Sequence, residues 1–171
     1  MGTESTLYKA WLQYSEPDSS ELRNLYKGML ERVVVEGGVS RIPPAAVREL
    51  SAGADTMLGV TPEFMDQIPT NGEGPYLWIR VHSDENGHGA DRRRWETRRD
   101  AYSLKYVLSA KEERLELIAA SKAGVIYGIF HLLRGISLGF KPAQWAIEEH
   151  PVNQVRMINQ WDNAHGSIER G

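Results

Sequence analysis

The sequence predicts an α+β domain in which helices pack mainly on one face of a mixed β-sheet. Three observations carry this. The hydrophobic patterns run strand, helix, strand, helix, strand, strand, strand, helix, and then one more strand-like stretch. Residues 115–138 (LELIAASKAGVIYGIFHLLRGISL) read as a buried strand, a tight turn and a long helix. Within that helix Gly124 and Gly128 lie four apart on one face, where two absent side chains let a helix backbone sit close to a sheet. Each mid-helix Gly costs up to ~1 kcal/mol against Ala, which close packing compensates.

Taken in order, residues 8–14 (YKAWLQY) are short and aromatic and predict a first strand, broken by Glu16-Pro17-Asp18. Residues 18–31 predict a helix, capped by Ser19 or Ser20, with Leu22, Leu25, Tyr26, Met29 and Leu30 as its apolar stripe. The β-branched run at 32–36 predicts a buried strand ended by Gly37-Gly38. Pro43-Pro44 opens a second helix, since Pro at the first turn lacks only an N–H that would be unpaired there. Ala46, Val47, Leu50, Ala54 and Leu58 form its buried side, with Gly53 as an irregularity. Residues 69–75 (PTNGEGP) are turn chemistry, and 76–82 (YLWIRVH) form a strong strand. Residues 83–100 are a polar surface loop. Residues 102–108 and 114–119 pair as a hairpin through 109–113. Ser121 caps the long helix, Val125, Ile129, Leu132, Leu133 and Ile136 line its apolar side, and Gly135 or Gly139 ends it in a left-handed cap. Residues 143–149 read as an extended connection, Pro151 as a boundary, and 155–161 as one further strand.

The balance of the chain excludes several classes. The net charge is −3, so no global basic field points to nucleic acid or a membrane surface. No cysteine is present, which removes disulfides, thiolate metal sites and cysteine nucleophiles. No run of ~18 apolar residues reads as a membrane span. The first residues lack the basic-then-apolar pattern of a secretory signal, so a cytoplasmic protein is expected. Neither G-x-G-x-x-G after a strand nor G-x-x-x-x-G-K-[ST] occurs, so the phosphate-cradle motifs are absent.

Candidate chemistry is sparse. Arg92, Arg93, Arg94, Arg98 and Arg99 surround Trp95, either as an anion site with a stacking ring or as a solvated loop balanced by Asp91, Glu96 and Asp100; mixed-charge runs favour the loop. His82, His88 and Asp84 lack the spacing of a metal site, and no metal or cofactor is expected. His131 sits beside the apolar stripe and reads as a satisfied boundary histidine. The informative stretch is 151–171 (PVNQVRMINQWDNAHGSIERG), where Asn159, Gln160, Asp162, Asn163, His165, Glu169 and Arg170 crowd around Trp161. A strand ending this way suits the mouth of a sugar-binding barrel, where an aromatic ring stacks on a pyranose and planar polar groups hold its hydroxyls. It also suits a surface turn built on Asn-Ala-His-Gly, and composition alone favours the turn.

Two motifs carry a resemblance. A strand followed by A-x-x-x-x-G-x-x-Y-G and paired leucines (Ala119, Ala120, Gly124, Tyr127, Gly128, Leu132, Leu133) resembles the small domain that precedes the catalytic barrel in β-N-acetylhexosaminidases and in the α-glucuronidases of glycoside hydrolase family 67. R-M-x-N-x-W-D-N-x-x-G-S-I-E-R-G (Arg156, Met157, Asn159, Trp161, Asp162, Asn163, Gly166, Ser167, Ile168, Glu169, Arg170, Gly171) is similar to the family 67 signature at the start of the barrel, and hexosaminidases do not share it. The resemblance implies a hexosaminidase-like N-terminal domain over residues 1–150 and the first strand and loop of a truncated (β/α)₈ barrel over 151–171. It implies hydrolysis, with inversion, of (4-O-methyl-)glucuronic acid α-1,2-linked to the terminal xylose of xylan fragments. Inversion takes a carboxylic acid and a carboxylate base ~6.5–9.5 Å apart. In the family both sit on later barrel strands, so this chain is expected to hold no catalytic residue and to be inactive alone. Trp161, Asp162, Asn163, Glu169 and Arg170 are the expected substrate-binding residues: Trp161 as a pocket wall, the others toward sugar hydroxyls or the uronate. Arg170 equally suits an ion pair that braces the loop. The implied partners are glucuronoxylan oligosaccharides (aldouronic acids) and the remainder of the barrel, with a homodimer through parts beyond this chain. The alternative is a free-standing, non-catalytic α/β domain that binds carbohydrate or protein.

Overall fold

The computed structural model describes residues 14–68, 74–82 and 100–151. These form a six-stranded mixed sheet and three α-helices. In chain order the elements are α1 (Ser20–Glu31), β1 (Arg32–Val35), α2 (Pro44–Leu58), β2 (Glu63–Met65), β3 (Tyr76–Val81), β4 (Tyr102–Leu108), β5 (Glu113–Ala119), α3 (Lys122–Ser137) and β6 (Ala146–Glu149). The sheet order is β2-β1-β3-β5-β4-β6. β1 is parallel to β2 and β3, β3 is parallel to β5, and β4 runs antiparallel to both β5 and β6.

Because side chains alternate along a strand, one register fixes one face. Val33, Val35, Leu77, Ile79, Leu104, Leu115, Leu117 and Ala119 share the inner face and join one core with Tyr26, Met29 and Leu30 of α1, Leu50 and Met57 of α2, and Val125, Ile129, Leu132 and Leu133 of α3. The helices therefore cover that face, as the sequence predicts. Ser19 accepts a hydrogen bond from the Leu22 amide and Ser121 one from the Gly124 amide, so both caps form. Gly139, at φ 69°, ends α3, and the Phe140 amide donates to the Gly135 carbonyl at 2.9 Å, which closes the last turn.

The glycines of α3 are contact points. A Cβ at Gly128 would lie 2.3 Å from Leu117 Cδ1, and one at Gly124 would lie 2.6 Å from the Ala101 carbonyl oxygen. Gly53, an irregularity in the sequence, is where α2 crosses α3: a Cβ there would lie 2.7 Å from Leu133 Cδ2. Gly135 lies against Trp145 rather than ending the helix.

Two strands differ from expectation. β2 is only three residues long and has no alternation to read; it exists because Glu63, Phe64 and Met65 register beside Arg32, Val33 and Val34. The expected extended connection at 143–149 is a 3₁₀ turn at Pro142–Gln144 followed by β6, an edge strand held by β4. Tyr14 is the only described residue of the expected first strand, and its hydroxyl donates to Glu49 Oε1 at 2.7 Å.

Candidate functional site

Trp161, Asp162, Asn163, Glu169 and Arg170 lie outside the described residues, as do the Arg92–Arg99 cluster with Trp95, and His88 with Asp84. Among the described residues no group of three or more His, Asp or Glu side chains could hold a metal ion. The chemistry that can be built lies in two other places, of whose residues the sequence points to His131 and Tyr127.

The first is a cleft of about 390 Å³ at the C-terminal half of α3. Tyr102 of β4 forms one wall, Tyr127, Phe130, His131 and Arg134 of α3 line the other, and Leu138 and Phe140 close the end. Residues 127, 131, 134 and 138 recur at helical spacing, so they form one stripe. That stripe points away from the core, and Tyr127 and Leu138 remain 41% and 63% exposed. Tyr102 Oη and His131 Nδ1 are 2.8 Å apart with the rings edge to face. Burial first, then the nearby Glu149 charge, pushes the Tyr102 phenol up to about 12. Burial lowers the His131 pKa, Glu149 opposing and Arg134 adding to the shift. At neutral pH both groups are therefore uncharged, and they share one hydrogen bond. That bears out His131 as a satisfied boundary histidine.

The cleft is braced from below. Trp145 Nε1 donates to Tyr26 Oη at 2.8 Å, and the Tyr26 hydroxyl donates to the Phe140 carbonyl. Trp145 also meets the Phe140 ring at 5.3 Å between centroids. No carboxylate is among the residues that line the cleft. An aromatic at 127 outside the apolar stripe, with Leu138 beyond the last turn, is the sequence signal that would have found it.

The second place is the sheet face opposite the helices. Arg114 donates to Glu116 Oε1 through Nε at 2.8 Å and pairs with Glu112. Tyr76 Oη donates to Glu112 Oε2 at 2.9 Å. The Arg114 guanidinium lies 5.4 Å from the Trp78 ring centroid. Hydrogen bonds from Arg114 and then Tyr76 hold the Glu112 carboxyl below its usual range. Arg114 thus covers the indole and neutralises Glu116, which is only 9% exposed. The network ties β3 to β5 across the outer face of the sheet.

These features define the class: a mixed α/β domain with a six-stranded sheet, three helices and an aromatic-lined cleft. The chain belongs to the family described as "Glycosyl hydrolase family 67 N-terminus", which matches residues 10–132. It is 29% identical over 174 residues to the "Alpha-glucuronidase" of Hypocrea jecorina, covering 95% of this chain and 20% of that protein. It is 35% identical over 65 residues to the "Probable alpha-glucuronidase A" of Aspergillus clavatus, and 32% identical over 71 residues to the "Alpha-glucuronidase A" of Emericella nidulans. Those two matches cover 37% and 39% of this chain and 8% of each relative. The chain thus spans 20% or less of the length of these relatives.

Proposed function

We propose that this chain is the N-terminal part of an α-glucuronidase that removes α-1,2-linked (4-O-methyl-)glucuronic acid from xylan-derived oligosaccharides with inversion. The observation that carries the proposal is the match to relatives named α-glucuronidase, one of them over 95% of the chain. The Arg156–Gly171 signature supports it from the sequence side. In this reading the domain has a hexosaminidase-like fold, residues 151–171 begin the barrel, and the acid and base lie on later strands. The domain's contribution is then structural: its cleft holds no charge pair suited to protonating a leaving oxygen and activating water.

The test uses aldouronic acids as substrate. The purified 171-residue chain releases no glucuronic acid, and the polypeptide read onward from the same coding sequence releases it as the β-anomer, seen by proton NMR in the first minutes. Activity in the 171-residue chain, or the α-anomer from the longer protein, would refute the reading. Trp161→Ala in the longer protein is expected to lower kcat/KM by ~10²-fold, the scale of a misplaced substrate. Normal kinetics with a lowered Tm would assign Trp161 to packing instead.

A further inference from the structure

We infer that the cleft at the C-terminal half of α3 is the seat of the catalytic part of the same enzyme, which docks an apolar side chain between Tyr127, Phe130 and Leu138. The inference rests on the functional reading above, because it takes the occupant to be the rest of the α-glucuronidase polypeptide.

Three observations lead there. The outward stripe of α3 is not the polar face that a helix keeps toward water: it carries Tyr127 and Leu138, both exposed, beside the partly buried Phe130 and Phe140. The last described strand also ends at this corner: Glu149 pairs with Tyr102, a wall of the cleft, in the β4–β6 register. Finally, about four-fifths of the Hypocrea jecorina relative lies outside the region matched by this chain, and the matching family is described as an N-terminus, so such an enzyme has a large further body for this domain to meet.

The chemistry of the cleft favours protein over sugar. A saccharide needs several free donors and acceptors beside its stacking face. Here Tyr102 Oη and His131 Nδ1 are bonded to each other, and Phe130, Leu138 and Phe140 offer nothing to a hydroxyl. Arg134, exposed at the rim, is left to meet an acceptor on the docked surface.

Hydroxyl-radical footprinting separates the possibilities, using the 171-residue chain and the longer enzyme side by side. Tyr127 and Leu138 are expected to label several-fold more slowly in the longer enzyme. Ile68, 52% exposed just past β2 at the opposite edge of the sheet, is expected to label equally in both. Leu138→Asp is expected to leave the Tm of the 171-residue chain unchanged and to lower that of the longer enzyme by several degrees. Equal labelling of Tyr127 and Leu138 in a longer enzyme that hydrolyses aldouronic acids would overturn the docking alone. A coding sequence ending at Gly171 would overturn the functional reading and remove this occupant with it. Concentration-dependent protection within the 171-residue chain would assign the cleft to a second copy and overturn the inference. Protection of the 171-residue chain by aldouronic acid would assign it to a saccharide and do the same.

Discussion

Gly124→Ala measures how rigidly α3 is seated on the sheet. The added Cβ would stand 2.6 Å from the Ala101 carbonyl oxygen and 3.3 Å from Ala119 Cβ. The carbonyl cannot swing aside freely, because it accepts the Ala120 amide at 2.9 Å and Ala101 is fully buried. Overpacking of this kind costs ~1–3 kcal/mol. Weakening the buried Ala120 bond adds ~1–2 kcal/mol. The better helix preference of Ala offsets at most ~1 kcal/mol. A net loss of ~2–3 kcal/mol lowers Tm by about 5–10 °C in a domain of this size. The assay is thermal and urea unfolding of the 171-residue chain followed by circular dichroism, with an unchanged m-value showing that only stability has moved. A Tm equal to or above that of the parent chain would refute the reasoning, since helix preference would then outweigh contact.

Other substitutions probe the remaining contacts. Gly128→Ala meets the tips of a side chain, Leu117, rather than backbone, so it is expected to cost less than Gly124→Ala and to couple to Leu117→Ala by more than ~1 kcal/mol in a double-mutant cycle; Gly128→Leu should lose several kcal/mol. Arg114→Ala strips Glu116 of its partner and is expected to cost ~2–4 kcal/mol, while Arg114→Met with Glu116→Leu recovers most of it, as judged by urea unfolding. The raised Tyr102 pKa means that the unfolded chain ionises near 10 and the folded one near 12, so this contribution is complete below pH 10 and is lost as pH rises to 12; Tyr102→Phe should flatten the Tm profile over that range. The lowered His131 pKa works the other way: its contribution is complete above 6.5 and declines as pH falls below it, a slope His131→Gln should remove.

Much of the fold was legible because each main element states its own period. The α3 stripe, the β-branched run of β1 and both serine caps are local signals, and all appear in the structure. What was not legible depends on neighbours. β2 has three residues and no pattern, and its strand character comes from lying beside β1. β6 reads as a connection because Glu148 and Glu149 dominate it, yet β4 supplies a partner. The five expected substrate-binding residues fall outside the described region, so the fold neither joins nor separates them.

The α3 helix shows where reading the core alone fell short. A helix has one set of positions that must be apolar and another that solvent leaves free. The first set is the buried stripe; the second carries Tyr127, His131 and Arg134. Small residues at 124, 128 and 135 bring α3 close to Ala101, Leu117 and Trp145, so its packing side is fully occupied. Tyr127 and Leu138 stand on the other side, where exposed apolar area favours association. Their presence on one stripe, at the corner where β6 ends, is what a domain built to be covered would carry. The polar Tyr102–His131 pair fits the same account. Its one hydrogen bond leaves His131 Nε2 for a polar atom of the covering surface to pair.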